Sequence, residues 1–183
     1  MSRLNIGVIG AGHLGRIHAK LLGQVEGAKL AGISDPVDAA RDNAAKLFSV
    51  PTHDDYRKML PDIDAAVIAA PTDAHCEIAK DLLKAGKHLL VEKPLASSLQ
   101  DCDTMIAAAR RRGLKLGVIS QRRWYPPTLR VKHAIDEGKI GKPVLGTINM
   151  LGWRDEAYYE SDDWRGTWDM EGGGVMVHQA PLQ

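Results

Sequence analysis

Phenylalanine occurs once and cysteine twice in the 183 residues. Cys76 and Cys102 form neither a CxxC pair nor a spaced half-cystine framework. That excludes a disulfide-stapled secreted scaffold and points to a reducing cytoplasm. An excess of one charge is lacking too. Lys and Arg total 24 against 23 Asp and Glu, a formal net charge of +1, so nothing in the balance argues for a nucleic-acid partner. No run approaches the ~18 apolar residues of a membrane span. The Met1-Ser2-Arg3 start leads into a strand-like segment without a signal-peptide apolar stretch. Metal-ligand spacing is absent as well: the 7 histidines are scattered, and the carboxylates between Asp155 and Glu171 read as a solvated loop. What remains is an ordinary globular composition, 44% hydrophobic and 26% charged. The length suits one domain and a piece, able to bury roughly 70% of its unfolded surface. The aromatics are unevenly placed. Only Phe48 and Tyr56 fall in the first 120 residues, whereas Trp124, Tyr125, Trp153, Tyr158, Tyr159, Trp164 and Trp168 crowd the rest. A domain change near residue 120 is the expected reason.

Strand and helix signals alternate through the first 120 residues. Residues 4–10, 29–34, 65–69, 88–91 and 116–119 are short apolar runs that read as buried strands. Between them, residues 12–24, 37–48, 71–85 and 98–112 carry helical signals. Thr72 or Asp73 and Ser97 or Ser98 are candidate N-caps, and Gly86 and Gly113 are stops. This predicts an α/β fold, a doubly wound parallel sheet of right-handed βαβ units. Beyond Ser120 the pattern predicts a helix over 126–137 with Pro126 in its first turn, a strand of a different sheet over 144–151, and a polar aromatic loop over 152–171. Gly172-Gly173-Gly174 opens a last segment.

Gly10-Ala11-Gly12-His13-Leu14-Gly15 is a GxGxxG that follows a predicted strand and opens a predicted helix. Asp35 lies 20 residues beyond Gly15, at the end of the second strand. Together these are the dinucleotide-binding context of a Rossmann-type fold. Gly10 allows the tight turn, Gly12 lets a pyrophosphate approach the backbone, and Gly15 lets helix and strand pack closely. His13 and Leu14 open the helix, whose N-terminus offers N–H groups and partial positive charge to phosphates. A purely structural turn, or a site for another adenosine ligand such as S-adenosylmethionine, is the alternative. Asp35 is placed to accept from the adenosine ribose hydroxyls, and it also suits a helix N-cap. A 2′-phosphate would meet its charge, and no Arg or Lys lies between Asp35 and Arg41. NAD is therefore favoured over NADP. Pro71 and Thr72 end the 65–69 run at the carboxyl edge of the sheet, where ligands of such folds bind. His75 follows near a helix N-terminus, which disfavours its charged form, and reads as a neutral structural residue. Glu92-Lys93-Pro94 ends the next strand at the same edge. Lys93 there can stabilise an alkoxide or pass a proton, or can be a solvated surface charge. Residues 1–120 are thus expected to form the NAD(P)-binding domain. Residues 121–183 would begin a second, incomplete domain.

The segments GVIGAGHLGRIHA, AAPTDAHCEIAKDLLKAGKHLLVEKPLA, and WRGTW followed by GGGVMV resemble the glucose–fructose oxidoreductase and myo-inositol dehydrogenase family, Gfo/Idh/MocA. AGKHLLVEKP is the most specific stretch. The resemblance implies a Rossmann domain followed by an α/β domain with a large open sheet. It implies NAD(P)-dependent oxidation or reduction at a secondary alcohol or carbonyl of a sugar, inositol or cyclic polyol, and homo-oligomers formed through the open sheet. Carried over residue by residue, it makes Lys93 catalytic, gives Lys93-Pro94 a cis bond, and puts Glu92 beside the cofactor. It sets Gln121 and Arg122 beside nicotinamide and substrate, and Trp164 and Arg165 near the cofactor. A solvated basic turn remains the other reading of Arg122. The pattern departs after the triple glycine, where the family has an Asp or Asn and then a His one helical turn later. His178 falls at the first of these positions and Leu182 at the second. Leu182 carries no proton. His178, which shares a helical face with position 182, is the candidate substitute acid/base, with a structural role as its alternative. Family members are considerably longer, so the chain is expected to be a fragment, a truncated product or half of a split protein. Two functional readings follow: a dehydrogenase, or an NAD-binding module without turnover.

Overall fold

The computed structural model of the chain describes residues 3–149, 151–161 and 165–168. The chain divides into two compact units, Met1–Ile119 and Ser120–Gln183. The first unit is a six-stranded, fully parallel sheet of β1 (Leu4–Ile9), β2 (Ala28–Ser34), β3 (Thr52–His53), β4 (Ala65–Ile68), β5 (His88–Glu92) and β6 (Leu116–Ile119). Their spatial order is β3-β2-β1-β4-β5-β6, the doubly wound Rossmann arrangement, with its switch point between β1 and β4. Helices α1 (His13–Leu22), α2 (Asp38–Phe48), α3 (His75–Lys84) and α4 (Leu99–Arg111) connect the strands.

Successive strand side chains point to opposite faces, and the two cores divide accordingly. Val8, Ile33 and Val67 pack with Ala19 of α1 and Ala44 of α2 on one face. On the other, Ile9, Ala66, Ile68, Leu89 and Val91 pack with Leu82 and Leu83 of α3 and Met105 of α4. The helix ends follow local chemistry. Ser98 caps α4 by accepting from the Asp101 N–H at 3.1 Å. Gly86 and Gly113 take positive φ just past α3 and α4, the turn that ends a helix. Thr72 and Asp73 do not cap α3; Thr72–Ala74 forms a 3-10 turn, and the N-cap position is Ala74. A tight turn there takes up the backbone groups that a side chain would otherwise satisfy.

Sequence periodicity missed two elements. β3 has only two residues, too few to display a period. Tyr56–Asp62 is a 3-10 helix containing Pro61, capped by Asp55 accepting from the Arg57 N–H at 2.9 Å. It delivers Met59 and Ile63 against Gly7 and Gly32, where a Cβ would lie 3.1–3.3 Å from their side chains.

The second unit, among its described residues, holds a 3-10 turn at Gln121–Trp124, α5 (Pro126–Asp136) and α6 (Glu156–Glu160). The strand expected over 144–151 is corrected: residues 144–149 and 151 form none. Val144 is 95% and Leu151 100% exposed. A strand is held by a neighbour's ladder, and no other strand stands among the described residues of this unit to supply one. No helix among the described residues is long and apolar enough to cross a membrane.

Leu82 is fully buried, so Leu82→Ala is expected to cost about 2–5 kcal/mol in urea unfolding. Cys76 and Cys102 are free thiols. Burial first, then the neighbouring Asp101, pushes the Cys76 thiol up to about 11. Little thiolate therefore exists at pH 8, and iodoacetamide should label Cys76 slowly in the folded chain and rapidly in urea.

Candidate functional site

The carboxyl ends of four adjacent strands carry the motif residues side by side. In spatial order they are Asp35 after β2, the glycine loop after β1, Pro71 and Thr72 after β4, and Glu92 with Lys93 at the end of β5. In the glycine loop, Gly10 has φ +97°, and a Cβ there would meet the Ala69 carbonyl oxygen at 2.5 Å. A Cβ on Gly15 would lie 1.8 Å from the Gly10 carbonyl oxygen, so helix and strand end touch backbone to backbone. Gly12 differs from both. Its φ is −65°, and a Cβ there would meet nothing within 4 Å. The space outside Gly12 is open to a ligand, and His13 and Leu14 begin α1 beside it, exposed. The first N–H groups of a helix lack intrahelical partners, which suits this end to phosphate.

Asp35 joins the loop to β2. Its Oδ2 accepts from the Ala11 N–H at 2.7 Å, and its Oδ1 from the Val37 N–H at 2.9 Å. It does not cap α2, whose N-cap position is Val37. A carboxylate has about four lone-pair positions, so two acceptor positions remain. Arg41 donates to the Asp35 carbonyl oxygen at 2.8 Å and pairs with Asp38. Both contacts hold its guanidinium to the protein.

On the other side of the loop, the Lys93-Pro94 bond is cis, as the family resemblance implies. Glu92 is buried, 7% exposed. Its Oε1 accepts from His18 Nε2 at 2.8 Å, and its Oε2 from the Lys93 N–H at 3.2 Å. His75 is the first residue of α3 and only 1% exposed. Its Nε2 lies 2.9 Å from the Ala70 carbonyl oxygen, and its Nδ1 3.0 Å from that of Pro94. His18 is the contact that motif reading missed. The available signal was its place on α1, three residues past Gly15 and one before Ala19, both buried. A polar residue on the sheet-facing stripe of a helix needs a buried partner.

The other expected site residues belong to the second unit. Gln121 and Arg122 lie in the 3-10 turn of the second unit. Arg165 lies in that unit with its guanidinium carbon 4.6 Å from the Tyr158 ring centre. Trp164 and His178 fall outside the described residues, as does Leu182. No cluster of His, Cys, Asp and Glu among the described residues is suited to hold a metal ion.

Residues 4–120 match a family model described as "Oxidoreductase family, NAD-binding Rossmann fold", and residues 128–181 match the "GFO/IDH/MocA C-terminal domain". The myo-inositol 2-dehydrogenase of Thermotoga maritima is 35% identical over 143 residues, 76% of this chain and 43% of that protein. The WlbA dehydrogenase of Bordetella pertussis, solved with NADH and UDP-GlcNAcA, superposes with a TM-score of 0.91 at 30% identity, covering 98% of this chain and 57% of that one. The scyllo-inositol dehydrogenase of Lactobacillus casei, solved with NAD(H) and scyllo-inositol, gives a TM-score of 0.73 at 31% identity, covering 76% of this chain and 43% of that one. The chain spans less than half the length of the curated relatives it matches.

The different surroundings of the glycines set an expectation. Gly15→Ala must push α1 off β1 and should lower the melting temperature markedly. Gly12→Ala should leave it nearly unchanged, because its new methyl group enters open space. Thermal unfolding of the two variants checks this.

Proposed function

The chain belongs to the GFO/IDH/MocA oxidoreductase family, and on that premise we propose that it is the cofactor-binding part, with the beginning of the substrate domain, of an NAD-dependent dehydrogenase acting on a secondary alcohol or carbonyl of a sugar, inositol or cyclic diol. The observation that carries this reading is the unbroken row of motif residues along one sheet edge. The residues present fit NAD. Open space at Gly12 admits a pyrophosphate to the backbone. The spare acceptor positions of Asp35 suit two ribose hydroxyls and oppose a 2′-phosphate. Arg41, engaged with Asp38 and the Asp35 carbonyl, offers no loose guanidinium to such a phosphate. Pro71, Thr72, Glu92 and Lys93 would border the nicotinamide half, with His13 and Leu14 at the phosphates. The family resemblance makes Gln121, Arg122, Trp164 and Arg165 further candidate cofactor contacts.

When bound, NAD supplies the acceptor for the hydride that leaves the alcohol carbon. Lys93 then holds the substrate hydroxyl and takes or returns its proton, and the lysine charge stabilises developing negative charge on that oxygen. His178 is the proposed second proton carrier. Self-association is assigned to the sheet of a complete second domain. For the substrate, the match to the WlbA dehydrogenase solved with UDP-GlcNAcA extends over 98% of the chain, against 76% for the scyllo-inositol dehydrogenase. That extra reach favours including a UDP-linked sugar acid beside the polyols. The reading without turnover rests on Leu182.

Thermal-shift measurements with NAD and NADP test the cofactor. Ligand at about 100 times its dissociation constant adds ~2.7 kcal/mol. NAD should protect and NADP should not; protection by neither overturns the proposal. A screen of inositols, sugars and UDP-sugar acids for NADH formation then separates dehydrogenase from module. In an active preparation, Lys93→Ala should lower turnover about 10²–10⁴-fold while NAD still protects.

A further inference from the structure

We propose that His18 and His75 are positioning residues for Lys93, bracing the turn that carries it from both sides. The inference rests on the reading of Lys93 as the proton-handling residue. On the N-terminal side, the Nε2–H of His18 donates to Glu92 Oε1 at 2.8 Å, and Glu92 Oε2 accepts from the backbone N–H of Lys93 at 3.2 Å. A carboxylate only accepts, so Glu92 serves as a two-ended hook between helix α1 and the Lys93 backbone. On the C-terminal side, the His75 ring lies between carbonyl oxygens. Nδ1 is 3.0 Å from Pro94 and 3.3 Å from Leu95, and Nε2 is 2.9 Å from Ala70 at the end of β4. Carbonyl oxygens accept only and a neutral imidazole carries one N–H, so with that proton on Nδ1 the ring donates to the Pro94 carbonyl. Glu92 and Pro94 are therefore each engaged by an imidazole, and the residue between them is the lysine.

The two braces anchor the turn to different parts of the edge. His18 ties it to α1, the helix that begins at the dinucleotide loop. His75, the first residue of α3, ties it to the start of that helix. Both anchors are shielded from solvent: the His18 and Glu92 side chains are 16% and 9% exposed, and His75 is 1% exposed. Such shielding matters for a lysine, whose long flexible stem gives its ammonium many positions unless the backbone beneath is held. A general acid or base must lie within hydrogen-bond reach of the proton it moves, and small misplacements cost rate steeply.

The test reads the Lys93 amine directly. Whole chains of wild type, His18→Ala, His18→Gln and His75→Ala are acylated with trace isotopic acetic anhydride, and the Lys93 rate is measured by mass spectrometry against the exposed Lys46 in the same molecule. Both alanine variants should shift the Lys93 rate several-fold relative to Lys46. His18→Gln should return it toward wild type, because an amide N–H can again donate to Glu92. If His75→Ala fails to fold, the more exposed His18 pair carries the test alone. A Lys93 rate equal to wild type in a folded His18→Ala, or no recovery in His18→Gln, overturns the proposal. NAD plays no part in the labelling. A wild-type chain that fails to bind NAD would defeat the proposed function and leave this measurement valid.

Discussion

The backbone contact between Gly15 and Gly10 is the constraint on which the first unit depends. With a Cβ position 1.8 Å from the Gly10 oxygen, α1 lies against the end of β1 closer than any side chain permits. That closeness sets the start of α1 at the sheet edge, leaves the open space at Gly12, and brings His18 within hydrogen-bond distance of Glu92 on β5. One pair of glycines thus joins the phosphate-facing loop and the lysine-bearing turn into a single edge.

Parallel pairing supplies the rest of that edge. β1 sits between β2 and β4, and β4 between β1 and β5, so every strand delivers its carboxyl end to the same side. Side-chain contacts then lock neighbouring ends together. Asp35 binds the β2 end to the glycine loop, Glu92 binds the β5 end to α1, and His75 binds the start of α3 to the turn after β5. Two carboxylates with both oxygens engaged, and one buried imidazole, make a rigid floor for a ligand. Rigid support of this kind is what a reacting group needs to be held in one geometry.

Much of this was legible in the chain. The strand and helix alternation, the GxGxxG with Asp35, and the Glu92-Lys93-Pro94 turn are local patterns with local physical causes. Five of the six strands of the first unit followed from apolar runs. β3 did not, because two residues carry no period, and no strand forms at residues 144–149 and 151, because alternation does not supply a pairing partner. His18 looked like one more helix residue, since nothing in a linear reading marks which strand end will lie beneath it.

The sequence by itself determined the fold class, the family and the residue types at the sheet edge. Backbone propensity, apolar periodicity and glycine placement act over a few residues and can be read in order. Tertiary structure alone decided the partnerships: Asp35 with Ala11 rather than as a helix cap, Glu92 with His18, and His75 between Ala70 and Pro94. These pairs are 24, 74, 5 and 19 residues apart, and only the packing of helices onto the sheet brings their atoms within hydrogen-bond reach.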